Sequence, residues 1–226
     1  MEELQLRLYL SFVYEDRWKF FLDGLWMTLL LTVVSFILGS LMGALFCALK
    51  LSRHSWVRKV TNAVITFLVQ LPTLVLLMLF VYIIFGESPL SVTVIVLFGL
   101  ILKAGAYISD IFWTAVTAVN PGEVEAAHTL GLTKVQVFRY ITLPQAIATA
   151  LPVYKNQFII TMQETSIVGY LAIMDLTRAS DVVTSRTYDA IFGLVVVSLL
   201  YLLIGYLGNL LLGLLGHRKH LGGEDE

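Results

Sequence analysis

Cysteine is all but absent: Cys47 stands alone in an apolar run, so no disulfide can close within the chain. A small buried residue is the ordinary reading of such a thiol, and it leaves the redox compartment open. Charge is scarce too. Only 14% of residues are Asp, Glu, Lys or Arg, and the net charge of -1 argues for neither a nucleic-acid partner nor a strongly acidic substrate. Nucleotide and hydrolase motifs are missing: the sequence contains no G-x-x-x-x-G-K-[ST], no H-E-x-x-H and no G-x-S-x-G. It therefore holds no phosphate loop for ATP hydrolysis and no basis for an intramembrane hydrolase. His54, His128, His217 and His220 lack metal-ligand spacing and read as interfacial residues on the cytoplasmic side. Met1 to Leu10 has no basic segment followed by a small-residue cleavage site, so no removable signal peptide is expected.

What the chain does have is apolar length. Hydrophobic residues make up 58% of it and the mean hydropathy is +0.84, a composition that places it in a membrane. A helix needs about 20 apolar residues to cross about 30 Å of hydrocarbon. Three runs reach that length without a charge, and two more are interrupted by Lys103 and Asp110, or by Lys155 and Glu164. The expectation is an all-α integral membrane protein, one domain over 1–226, with five transmembrane helices at about 20–50, 57–86, 88–119, 145–174 and 189–216. In the second, Pro72 follows Gln70 in mid-span and should kink or break the helix, as happens where a path is lined.

Lys and Arg set the orientation. Lys50, Arg53, Arg58 and Lys59, then Lys134 and Arg139, then Arg218 and Lys219 share one side if the N-terminus is outside and the C-terminus cytoplasmic. The opposite side then carries the loop 175–189, where acids balance Arg178 and Arg186; it reads as a lid, a docking surface or a solvated connection. Lys103 and Asp110 read as snorkelling to the cytoplasmic interface. Gly39 and Gly43, four apart, allow close helix approach, either within the chain or between two copies.

Between the third and fourth spans lies a polar insert, 120–144. Asn120-Pro121-Gly122 is turn chemistry, Glu123 and Glu125 suit a first helical turn, and Ala126, Ala127 and Leu130 form a compact apolar face. Gly131 ends that helix, and Thr133 caps a second that carries Val135, Phe138 and Ile141 at near-helical spacing. Two short helices on the cytoplasmic face suit either docking into a groove of a soluble partner or a structural interfacial role.

Glu125-Ala126-Ala127, three residues, Gly131, nine residues and Ile141-Thr142-Leu143-Pro144 resembles the EAA signature of ABC importer permeases, E-A-A-x3-G-x9-I-x-L-P. The resemblance runs from about Gly24 to the C-terminus and points to the polar amino-acid uptake group, which has five spans per subunit. Ala106 to Phe112 resembles its A-Y-I-S-E-I-F element, Pro144-Gln145-Ala146 its P-Q-A, and Gln163 to Ile167 its K-D-T-S-L. The resemblance implies a prokaryotic inner-membrane importer for a small polar solute, an amino acid above all. Two such permease subunits, identical or homologous, would form the pore, and an extracytoplasmic solute-binding protein would deliver the cargo. A separate ATPase subunit, carrying ATP and Mg, would dock on Glu125, Ala126, Ala127, Gly131, Ile141, Leu143 and Pro144. The chain itself would bind no cofactor and perform no catalysis. Two departures stand out: Val69-Gln70-Leu71-Pro72 replaces the group's R-G-T-P, and Trp113 replaces an arginine after the I-F element. Two cations that could pair with a carboxylate are thereby missing.

On the fourth span, Gln157, Thr161 and Glu164 fall at i, i+4 and i+7, and Tyr154 extends the same face. A carboxylate in mid-membrane marks a pathway or site unless it is paired. The stripe is expected to face the pore and, with Gln70 beside the break, to contact substrate. The other reading pairs Glu164 with Lys103 or Lys155 to hold helices together. Resemblance places Gln157 and Glu164 where some relatives carry acids, and a glutamine at 157 favours a neutral or zwitterionic cargo over a dicationic one. The competing function is an ATP-independent channel or carrier, compatible with five spans and a mid-membrane carboxylate.

Overall fold

The computed structural model describes residues 9–217. The N-terminal residues bearing on a signal peptide, and the tail residues Arg218, Lys219 and His220, lie outside them. The described chain is helical throughout, without a strand.

The first long helix, α1 (Trp18–Lys50), is apolar all round, yet it buries one stripe: Thr28, Leu31, Thr32, Ser35, Phe36, Gly39, Gly43 and Cys47. Their spacing of three and four residues keeps them on one face, while Ile37, Leu41 and Leu45 point outwards. A second segment is split. α2 (Ser55–Gln70) stops at Leu71-Pro72, and α3 (Thr73–Leu79) runs on through a π-turn, Phe80–Ile84. The two halves are bent by 112°. Proline lacks an N–H and disfavours a helical residue before it, and Leu71 duly has extended backbone.

α4 (Val92–Thr117) is capped by the Ser91 hydroxyl and packs along α1. Gly39 lies against Ala104 and Gly105, and Gly43 against Ile108. The small-residue pair is thus used inside the chain. Leu68, Leu76, Leu77 and Phe80 from the split segment join Leu31, Val96 and Leu100 in the largest apolar cluster. The insert forms α5 (Pro121–Thr129) and α6 (Lys134–Val137), followed by a π-turn, Phe138–Thr142, and α7 (Leu143–Thr165).

The segment 175–189 is a packed helix. α8 (Leu176–Thr187) presents Leu176, Ala179, Ser180 and Val183 to α1 and to α9 (Ala190–His217). The Asp175 carboxylate caps α8 by accepting from the Thr177 and Arg178 amides at 3.1 and 3.0 Å. Thr28 of α1 accepts from the Leu176 amide at 3.1 Å, fixing the two helices together.

Among the described residues, α1, α4 and α9 are each long and apolar enough to cross a membrane, and α2 with α3 qualifies as one bent unit. α7 is 23 residues and so about 34 Å long, but its polar stripe lowers its hydropathy.

Candidate functional sites

The insert is built by local chemistry. The Asn120 side chain accepts from the Gly122 amide at 2.9 Å, and Pro121, with no amide hydrogen to satisfy, starts α5. Gly131 adopts φ +84°, the left-handed region, and reverses the chain. Thr133 and Gln136 then form a reciprocal capping box, each side chain bonded to the other's backbone amide at 3.4 and 2.8 Å. The Gln145 amide donates to Glu123 at 2.5 Å, tying the start of α7 back to α5.

Within this frame the motif residues divide. Ala127 is buried and Ile141 half-buried, whereas Glu125, Ala126, Leu143 and Pro144 are exposed. The apolar face expected for the second helix is not covered. Val135 is 75% exposed and Phe138 46%, and the buried residue is Val137. The π-turn that begins at Phe138 adds a residue per turn and shifts the register from α-helical spacing. Leu130, read as part of the first apolar face, is 81% exposed. Leu130, Val135 and Tyr140 leave apolar surface on an otherwise polar insert, the kind of surface a protein partner covers. Just above it, Cys47, Phe112, Val116, Phe138, Leu143 and Ala146 help line an apolar groove of about 320 Å³.

The second site lies at the break. Lys103 is only 2% exposed, so it does not snorkel. Its Nζ donates to the Leu71 carbonyl at 2.5 Å and stands 3.9 Å from Glu164 Oε1. Glu164 Oε1 in turn accepts from the Thr73 hydroxyl at 2.9 Å. Cation and carboxylate therefore grip both sides of the break from α4 and α7. Glu164 Oε2 is buried without a hydrogen-bond partner among the described residues. Asp110, unlike Lys103, is half-exposed and pairs with Lys50 at 2.6 Å, and the Trp113 ring lies 4.7 Å from the same ammonium.

The stripe on α7 is largely closed off within the chain. Gln157 and Thr161 are buried, with the Thr161 hydroxyl bonded to the Gln157 carbonyl at 2.9 Å. The Tyr154 hydroxyl meets Ser40 of α1 at 2.7 Å, and its ring packs on Phe36 and Phe112. Gln70 ends α2 with an exposed side chain and does not join this cluster. Thr73 and Ser40 carried no sequence signal for these roles, because their partners lie 91 and 114 residues away. The capping box was readable as Thr-x-x-Gln.

Known proteins share this architecture. The profile of the family described as "Binding-protein-dependent transport system inner membrane component" matches residues 35–220. A protein of Rickettsia prowazekii named as a glutamine transport system permease is 27% identical over 88% of this chain and 94% of its own length. The histidine/lysine/arginine/ornithine transport system permease of Salmonella typhimurium is 28% identical, over 91% and 92% respectively. A crystal structure of an amino acid ABC transporter with histidines superposes with a TM-score of 0.80 at 32% identity, covering 88% of this chain and 94% of that one. An inward-facing methionine ABC transporter shares the fold, with a TM-score of 0.70 at 21% identity, over 88% and 97%. The chain belongs to the binding-protein-dependent inner-membrane permease family, the membrane-spanning subunits of ABC importers, in which ATP hydrolysis resides in a separate subunit.

Proposed function

We propose that this permease passes a polar amino acid with an uncharged side chain across the prokaryotic inner membrane, in a pore formed with a second, identical or homologous, permease subunit. An extracytoplasmic solute-binding protein delivers the cargo, and an ATPase subunit with its own ATP and Mg drives the cycle. The chain crosses five times, through α1, the broken α2/α3 pair, α4, α7 and α9, with the N-terminus outside and the C-terminus cytoplasmic. The insert is the ATPase dock, with Glu125, Ala126, Ala127, Gly131, Ile141, Leu143 and Pro144 as its coupling residues.

The observation that carries the cargo side is Glu164. A buried carboxylate near the C-terminal end of α7, with one oxygen unbonded and beside a broken helix, is the arrangement in which transporters hold a polar solute. Gln157, Thr161 and Tyr154, on the same face of α7, and Gln70, exposed at the end of α2, complete the proposed site. The relatives named for glutamine and for histidine, lysine, arginine and ornithine support an amino-acid cargo while differing in its charge. The buried amide of Gln157, in place of an acid, favours the neutral class.

The test is uptake in proteoliposomes holding the chain with its cognate ATPase and delivery protein. Uptake of glutamine that requires ATP hydrolysis is expected. Equal uptake by the chain alone, without ATP, would establish the channel or carrier reading instead.

A further inference from the structure

We infer that Lys103 is a built-in counter-ion that sets the charge class of the cargo, holding the Glu164 site at net zero so that it admits neutral amino acids and rejects cationic ones. This rests on the proposed cargo site at Glu164 and adds a residue for which no substrate role was read in the sequence.

The geometry is specific. Lys103 is anchored first by the Leu71 carbonyl at 2.5 Å, at the break itself, and only then faces Glu164 at 3.9 Å. An ammonium held by a backbone carbonyl is fixed in position independently of the carboxylate it faces. Glu164 is held in the same way by Thr73, through Oε1. The pair is therefore aligned but not closed into a hydrogen-bonded contact, and Oε2 remains without a partner. The Tyr107 ring, 6.0 Å from the ammonium, adds a face that stabilises a cation but no charge.

Two consequences follow from one positive and one negative group in a low-dielectric setting. Oε2 can accept an ammonium hydrogen from a cargo's α-amino group. A second cation on the cargo side chain gains no unbalanced carboxylate, because the resident ammonium already balances it, and meets like charge instead. The Gln157 amide, buried one turn beyond Thr161, contributes no acid that could offset this. Among the described residues, Lys103 is the cation bonded at the break.

The test measures binding to the detergent-solubilised complex of the full chain with its ATPase, without the delivery protein, so that the latter's selectivity does not enter. Glutamine, arginine and glutamate are titrated as radiolabelled probes. The wild type is expected to bind glutamine in preference to both charged probes. Lys103→Met is expected to shift the arginine-to-glutamine affinity ratio by about tenfold or more towards arginine, because Glu164 is then unbalanced. Lys103→Met combined with Glu164→Gln removes both charges and so folds without a buried unpaired ion. It is expected to weaken glutamine binding about tenfold with no gain for arginine. An unchanged ratio in the single variant overturns the inference. So does wild-type glutamine affinity in the double variant, which decides the matter alone if the single variant does not fold. A wild type that prefers arginine overturns the counter-ion role but leaves an amino-acid cargo standing. A wild type that binds none of the three probes, while its ATPase remains docked, removes the cargo reading and the inference with it.

Discussion

Gly43 of α1 and Ile108 of α4 are in such close contact that a Cβ placed on residue 43 would lie 2.8 Å from Ile108 Cγ2 and 3.0 Å from the Gly105 carbonyl oxygen. Four residues earlier, Gly39 meets Ala104 in the same way, at 2.8 Å. The two glycines are therefore committed to the α1/α4 interface and are not a free face for a second copy. In lipid this matters more than in water, because close packing, and not apolar burial, is what holds two helices together.

Gly43→Ala should accordingly destabilise the chain itself, by about 1–3 kcal/mol for an overpacked contact that only a shift of Ile108 or of the α4 backbone can relieve. Thermal unfolding in detergent measures this. A variant that unfolds like the wild type but loses its permease partner would mean that the pair serves assembly instead.

The insert makes a different prediction, because its exposed apolar side chains support nothing inside the chain. Leu130→Glu and Val135→Glu should each leave thermal unfolding within about 0.5 kcal/mol of wild type, as exposed substitutions do. Each should still weaken co-purification of the ATPase at least about tenfold, since a charge buried in an apolar interface is left unpaired. Gly131→Ala should act through the backbone. A Cβ there meets no atom within 4 Å, so its cost is the strain of φ +84° alone, about 1–2 kcal/mol, and falls on the turn that orients α5 against α6. ATPase binding unchanged in all three would remove the docking role.

The break and the insert are legible in the sequence, whereas contacts made across the fold are not, for physical reasons. Pro72 announced the break and the Asn120-Pro121 turn announced α5, because both act within a few residues of chain. The environment of Lys103 was not readable. Seven residues from Asp110 and with a long aliphatic stem, it has the look of a snorkelling lysine, and only the fold of α2, α3 and α7 around it supplies a carbonyl and a carboxylate. Val137 lies in a helix of a single turn, too short for spacing to separate a buried valine from the exposed Val135. α8 reads as a loop by composition because it is short and carries Arg178, Asp181 and Arg186. Its buried set, Leu176, Ala179, Ser180 and Val183, nevertheless has plain amphipathic spacing.

Asp175, at the head of α8, carries a pH prediction. Burial pushes its carboxyl above the ordinary aspartate value, against the Arg178 and Thr177 hydrogen bonds that pull it down. A carboxyl that holds its proton more tightly folded than unfolded contributes stability below the unfolded value and loses it as pH rises through the folded one. Asp175→Asn keeps an acceptor for the cap but cannot ionise, so its unfolding temperature relative to wild type should rise from acid to neutral pH. Asp175→Ala removes the cap and should be less stable by about 0.5–2 kcal/mol in the same assay. A difference between Asp175→Asn and wild type that does not vary with pH would show that Asp175 ionises alike in both states.

The orientation can be read from two exposed positions on either side of α7 along the chain. Tyr188 is 94% exposed just before α9, and Leu130 is 81% exposed at the tip of the insert. In a Cys47→Ser background, which removes the one native thiol, Tyr188→Cys and Leu130→Cys each provide a single reactive site. With basic residues of the α1–α2 connection and of the insert on the cytoplasmic side, an impermeant maleimide added to intact spheroplasts should label Tyr188→Cys fully. Leu130→Cys should stay unlabelled until the membrane is opened. Labelling of both from one side would require α7, the membrane-length helix between the two positions, not to cross. That outcome would leave Glu164 outside the hydrocarbon, where a carboxylate needs neither Lys103 nor a cargo to offset its burial.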